Sequence, residues 1–313
     1  MAVESSPASF RSAGRVLYVL ALMVTASNAF AQRSDSPREV DPAVALTGWR
    51  PPEIPLTEAQ KLVRDLGPLQ EGFGTGWATY TADSPMPSAD PRDFHGAWAT
   101  VQKLETRNAY DMYGMATPYT MAGAQTLARR VKGKKANKPY ANAGLRCLPP
   151  GPIWQFEISG GIVAFQNENL LEFAYMEGHG RWNVALDPAL LPPESQRQYM
   201  GRSLAHWDGN TLVVETSSFK QDLWLDTDGT PLSKNGKLIT RIRKVNDGDR
   251  RPYLELTHTI VDPVNYTHQW SIVRILSWQP SRAKLAEYNC EEQVGDPSGI
   301  TDNGFRNDLD SQP

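Results

Sequence analysis

The chain has 313 residues, 40% hydrophobic and 21% charged, which is an ordinary globular composition. Its formal charge of −3 argues against a nucleic-acid binder, which would normally carry a basic surplus. With 24 Gly and 24 Pro the chain is heavily punctuated by turns, which suits short strands and excludes a long helical bundle.

Arg11 and Arg15 precede an apolar run, Val16–Val24, followed by Ala29-Phe30-Ala31. The run is too short to span a bilayer and has the size of a signal-peptide core. Residues 1–31 therefore read as an export signal cleaved after Ala31. Later stretches are not apolar enough for stable membrane insertion, so a bacterial periplasmic or secreted location is expected. Cys147 and Cys290 then meet an oxidising compartment. A bridge would close a loop of about 140 residues, worth roughly 4–5 kcal/mol in the chain-entropy picture, and two buried free thiols are the alternative.

Residues 32–92 form a Pro- and Gly-rich lead-in with a short helix over 57–67, capped by Thr57 and stopped by Gly67. A second helical stretch covers 121–132. Residues 93–295 read as a β-rich domain and 296–313 as a polar tail. About nine strands are expected between 153 and 290: 153–158, 162–165, 170–176, 203–207, 211–216, 238–245, 253–261, 269–278 and 285–290. Short turns join nearly all of them. The fold class is mainly β, an antiparallel meander closing as a calycin-like barrel or folding as a sandwich.

Several segments carry a resemblance. They are Asp93-Phe94-His95-Gly96-Ala97-Trp98, Arg146-Cys147-Leu148-Pro149-Pro150-Gly151, His206 through Thr216 after Met200-Gly201, Asp262 through Thr267, and Glu287 through Glu292. Together they resemble a broad group of secreted, largely uncharacterised bacterial proteins of proteobacteria and acidobacteria. The resemblance implies export and a β-rich fold, and implies no chemistry. His95 departs from the group, which usually has a small residue there.

Nucleotide, haem and zinc-protease motifs are missing, and none of the five His stands four residues from another. No cofactor and no metal site are expected. An Asp208-Gly209 loop would place His206 opposite Thr211, Leu204 opposite Val213 and Arg202 opposite Glu215. Arg202, His206 and Glu215 would then share one face, an acid/base trio if it points inward and a surface ion pair if it points out. His258 shares a face with Leu254, Leu256 and Ile260, so it should point inward, as a hydrogen-bonded core residue or as a catalyst. Trp270, Arg274 and Trp278 share a face too, and Arg274 could hold a ligand carboxylate or extend along the surface. The 177–187 loop offers His179, Trp182 and Asp187. Tyr266 lies in a polar cluster with Asp262 and His268, where Asp262-Pro263 makes a turn. The functional expectation is an exported, cofactor-independent enzyme. It would act on a hydrophobic or aromatic small molecule by acid/base chemistry, as an isomerase, lyase or hydrolase. The alternative is a non-catalytic carrier of a hydrophobic ligand. His206, Glu215, Arg202, His258, His179 and Asp187 are the candidate catalytic residues. Arg274, Trp270, Trp182 and Tyr266 are the candidate ligand contacts.

Overall fold

The computed structural model describes residues 54–69, 74–81, 83–101, 107–136, 148–158, 161–176, 180–246 and 252–279, with the backbone of 300–301 and 304–305. In chain order its elements are α1 (Glu58–Arg64), β1 (Gly96–Thr100), α2 (Met121–Lys135), α3 (Pro152–Ile158), β2 (Ile162–Gln166), β3 (Leu170–Tyr175) and β4 (Arg181–Ala185). A 3₁₀ turn (Pro188–Leu190) precedes β5 (Arg202–Asp208), β6 (Thr211–Ser217), β7 (Leu223–Trp224) and β8 (Pro231–Leu232). There follow β9 (Lys237–Val245), β10 (Tyr253–Val261), β11 (Trp270–Trp278), β12 (Ile300–Thr301) and β13 (Gly304–Phe305). Thr57 caps α1 in a reciprocal capping box with Gln60. Residues 51–313 form one unit, to which α1 belongs.

Nine strands close a barrel in the order β1-β11-β10-β9-β6-β5-β4-β3-β2. The fold is mainly β and calycin-like, as expected, with one departure from a pure meander. An antiparallel ring needs an even number of strands, so a ring of nine must contain a parallel neighbour. That neighbour is β4–β5, paired through Val184↔Ser203 and Ala185↔Leu204. Residues 186–201 make the return crossover that a parallel pair requires. Seven of the nine expected strands are present. The span 285–290 lies outside the described residues. The span 153–158 is the helix α3: Pro152 takes its first position, where a missing N–H costs nothing. Its apolar-polar alternation misleads because almost every side chain of the segment is buried. β1 and β4 were not expected.

Both ends of the barrel are covered. At the end where β5, β9 and β11 finish, Phe94 is buried against Trp207, with ring centroids 5.5 Å apart. There Trp278 donates to the Pro85 carbonyl at 2.9 Å, and Lys244 donates to the carbonyls of Ser88 and Asp93. Burial lowers the Lys244 pKa, and Asp93 and Asp90 oppose that. At the other end sit α2, α3, β7–β8 and residues 107–119. One apolar cluster, including Phe94, Trp98, Phe156, Phe173, Trp182, Leu254 and Leu276, fills the barrel. A second, including Tyr119, Leu127, Leu232, Tyr266, Trp270 and Ile272, joins the barrel to the helices.

Candidate functional site in the barrel interior

The β5–β6 hairpin turns one residue later than expected. Asp208 pairs with Thr211 and His206 with Val213, so the loop is Gly209-Asn210. Gly209 takes φ +58°, the positive value that the first position of such a loop demands. The slip preserves which residues share a face, so Arg202, His206 and Glu215 do lie on one side. That side is the outside. His206 and Glu215 are exposed, and Arg202 donates to the Pro192 carbonyl at 2.8 Å. The inward side carries Ser203, Ala205, Leu212, Val214 and Thr216. Of the two arrangements open to this face the structure shows the outward one, so Arg202, His206 and Glu215 form a surface group and no interior acid/base trio.

His258 is fully buried in the interior with Leu254, Leu256 and Ile260, as its strand pattern requires. β9 supplies Thr240 opposite it, and the Thr240 hydroxyl meets His258 Nδ1 at 2.9 Å. Burial, helped by the nearby Arg274 charge, pushes the imidazole pKa down to about 3. His258 is therefore neutral, and its Nε2 has no hydrogen-bond partner among the described residues.

Arg274 also points inward, one step diagonally from His258, because Leu256 pairs with Arg274 and His258 with Ile272. It does hold a carboxylate, and that carboxylate belongs to the chain: Nη2 donates to Glu157 of α3 and, at 3.1 Å, to Asn108 Oδ1. Burial pushes the Glu157 carboxyl up to about 8 against the opposing pull of Arg274. Asn108 in turn is fixed by Asp226, whose Oδ2 accepts from the Asn108 backbone and side chain at 2.7 Å each. The other Asp226 oxygen accepts from three successive amides, Asp228, Gly229 and Thr230. Asp228 then pairs with Arg107 and Lys134 at 3.0 and 2.8 Å. A continuous polar chain thus runs from the basic end of α2 into the barrel.

At the centre of the interior stands Phe156 of α3. Its ring lies 5.3–6.0 Å from those of Phe173, Tyr175, Trp182 and His258, the first three edge-on. Trp182 donates to Ser203 Oγ at 2.8 Å, and Ser203 Oγ lies 2.8 Å from Thr216 Oγ1. The Tyr175 hydroxyl and Arg274 Nε, both buried, have no partner among the described residues. Burial raises the Tyr175 pKa well above its ordinary value, so the phenol keeps its proton.

The remaining candidates are placed elsewhere. Asp187 caps the 3₁₀ turn, accepting from the Ala189 amide at 2.9 Å. Tyr266 and Trp270 are buried in the second cluster, ring to ring at 5.1 Å, with the Tyr266 hydroxyl donating to the Pro231 carbonyl. Asp262 holds its turn by accepting from Ser233 and Asn265, while His268 is exposed. His179, Cys147 and Cys290 lie outside the described residues. Sequence reasoning missed Glu157, Tyr175, Asn108 and Asp226. The one available signal was Glu157, a charged residue inside the mostly apolar run Pro152–Ile158.

A groove of about 430 Å³ lies between α1 and residues 107–119, with Arg107 and Tyr119 in its wall. Arg107 is engaged by Asp228 and the carbonyls of Val63 and Gly67, and the Tyr119 hydroxyl by Thr230 and Asn108. The polar groups in the groove wall are thus already satisfied internally. The barrel interior brings three unmatched buried polar atoms, His258 Nε2, the Tyr175 hydroxyl and Arg274 Nε, together with the shifted His258, Tyr175 and Glu157, and for that combination it is the candidate site. Comparison with protein-family models, curated proteins and solved structures finds no match for the chain. Fold and site together define a closed β-barrel with an apolar, aromatic-walled interior that holds a few buried polar groups.

Proposed function

We propose that this barrel is an exported binding protein for a hydrophobic or aromatic small molecule, taken up in the interior beside His258. The observation that carries the reading is the set of buried polar atoms without partners on an otherwise apolar wall: His258 Nε2, the Tyr175 hydroxyl and Arg274 Nε. Buried polar groups are normally hydrogen-bonded, and a ligand is one way to satisfy them. A neutral imidazole and a protonated phenol suit anchoring more than proton shuttling, because a base whose pKa is near 3 is a weak one at neutral pH. The Arg202–His206–Glu215 face, being exposed, does not contribute. Export follows from the segment Arg11–Ala31 and the secreted group that the chain resembles. N-terminal sequencing of exported protein is expected to begin at Gln32, and an intact Met1 would contradict it.

Titration with anilinonaphthalene sulfonate tests the binding reading. We expect saturable binding near one per chain, with energy transfer from the interior tryptophans and reduced transfer in Trp182→Phe. Non-saturable binding indifferent to that change would sink it.

One observation favours a catalytic version of the same site. Glu157, held near 8, is an acid still protonated at neutral pH beside the interior. It could protonate or deprotonate a bound molecule, in an isomerisation, elimination or hydrolysis. Glu157→Gln would then abolish turnover by roughly 10²–10⁴-fold while ligand is still bound. Equal turnover in that variant rejects the catalytic version.

A further inference from the structure

We infer that the ligand of the interior is a single aromatic ring bearing an oxygen acceptor, and that Phe156 occupies the place of that ring in the unliganded chain. The inference rests on the binding reading above and names its ligand class. Three rings surround Phe156 edge-on, at 75°, 80° and 84° for Phe173, Tyr175 and Trp182. Such edge-to-face geometry is selective for a flat π-system over a flexible chain. His258 completes the enclosure at 6.0 Å and 39°. The enclosure is therefore built for a benzene-sized ring, and the chain fills it with its own.

Phe156 satisfies the shape of this cage and none of its polarity. The Tyr175 hydroxyl and Arg274 Nε are donors, and both are buried without an acceptor among the described residues. A ring carrying a carbonyl oxygen offers that acceptor. His258 Nε2 is the third unmatched atom, able to meet a second polar substituent in whichever tautomer its Thr240 contact selects. The Arg274 guanidinium disfavours a cationic ring. Phe156 lies on a short element. α3 is only seven residues long, and the Phe156 carbonyl is held by the Thr100 hydroxyl while Glu157 is held by Arg274.

The test uses the full exported chain, with acetophenone, ethylbenzene and palmitate as probes, by saturation-transfer NMR and calorimetric titration. We expect acetophenone to bind at least tenfold more tightly than ethylbenzene, since a site built around donors rejects a ring lacking an acceptor. Tyr175→Phe should shrink that ratio to within about threefold. Phe156→Ala should tighten acetophenone about tenfold by removing the competing ring. Phe156→Leu, which keeps bulk but loses the ring, should move affinity the same way if the alanine variant does not fold. Equal affinity for the two ring probes, or acetophenone binding indifferent to position 156, overturns the inference. Palmitate binding without ring binding also overturns it and leaves the broader reading standing. If none of the probes binds wild type or a position-156 variant, both fall.

Discussion

The pH dependence of stability should show two opposed limbs that trace to two interior side chains. The unfolded imidazole of His258 takes up its proton near pH 6.5, the folded one only near 3. Between those values the unfolded chain binds more protons, so stability falls as the pH falls. Glu157 runs the other way. Its carboxyl releases a proton near 4.5 when unfolded and near 8 when folded, so across that window stability falls as the pH rises. Each pH unit is worth about 1.4 kcal/mol, so either group alone approaches roughly 4–5 kcal/mol at saturation. Between pH 4.5 and 6.5 the two nearly cancel, giving a plateau, with an acid limb below it and an alkaline limb above. Other carboxylates add to the acid limb, so the quantity to read is wild type minus variant. His258→Asn removes the titration and keeps an amide where Nδ1 meets Thr240. Glu157→Gln keeps an acceptor for Arg274. Urea unfolding followed by tryptophan fluorescence from pH 3 to 9 supplies the stabilities. The acid limb should shrink by about 2 kcal/mol in the asparagine variant, and the alkaline limb by about as much in the glutamine variant. Profiles of wild type and His258→Asn that run parallel from pH 6.5 to 3 would refute the assignment of a buried, neutral imidazole.

Arg274→Met alone should cost about 1–3 kcal/mol in thermal melts by leaving the Glu157 carboxyl and Asn108 Oδ1 buried without their donor, and the double change with Glu157→Leu should recover part of it. Gly96→Ala should be strongly destabilising. Gly96 sits at φ +131°, and a Cβ there would come within 2.3 Å of two atoms of the Trp278 ring. Soluble yield and melting temperature report that. His206→Ala and Glu215→Gln, on the exposed side of the hairpin, should each shift stability by no more than about 0.5 kcal/mol and leave probe binding unchanged.

What the sequence revealed was periodicity; what it hid was which side is inside. The alternation in β10 put His258 with three leucine-like neighbours, and that contrast identified the buried face correctly. In the β5–β6 hairpin both faces carry apolar residues. Leu204 and Val213 advertise the outer one, while the inner one presents Ser203, Ala205 and Thr216. The inner residues are small because Trp182 and the α3 plug already occupy that part of the barrel, a tertiary fact without a local trace. The same plug explains α3: Ile153 to Ile158 alternates like a strand, yet burial on all sides erases the helical stripe that would distinguish it. β4 was legible in principle, since Arg181-Trp182-Asn183-Val184 alternates, but the glycines before it read as loop. The Glu157–Arg274 pair joins residues 117 positions apart, beyond the reach of any local pattern.

The odd strand count leaves a structural seam. Every other junction in the ring is antiparallel and at least three paired residues long, whereas the parallel junction between β4 and β5 rests on two. It is the short rung where a zipper would start to part, and local opening concentrates where few backbone bonds must break together. Trp182 reaches across it to Ser203, so a wall of the ring-shaped cage is also the clasp of the seam. Parting there would expose the Phe156 enclosure from the side, without disturbing the covers at either mouth. The parity of the barrel thus sets its shortest junction directly beside the Phe156 enclosure.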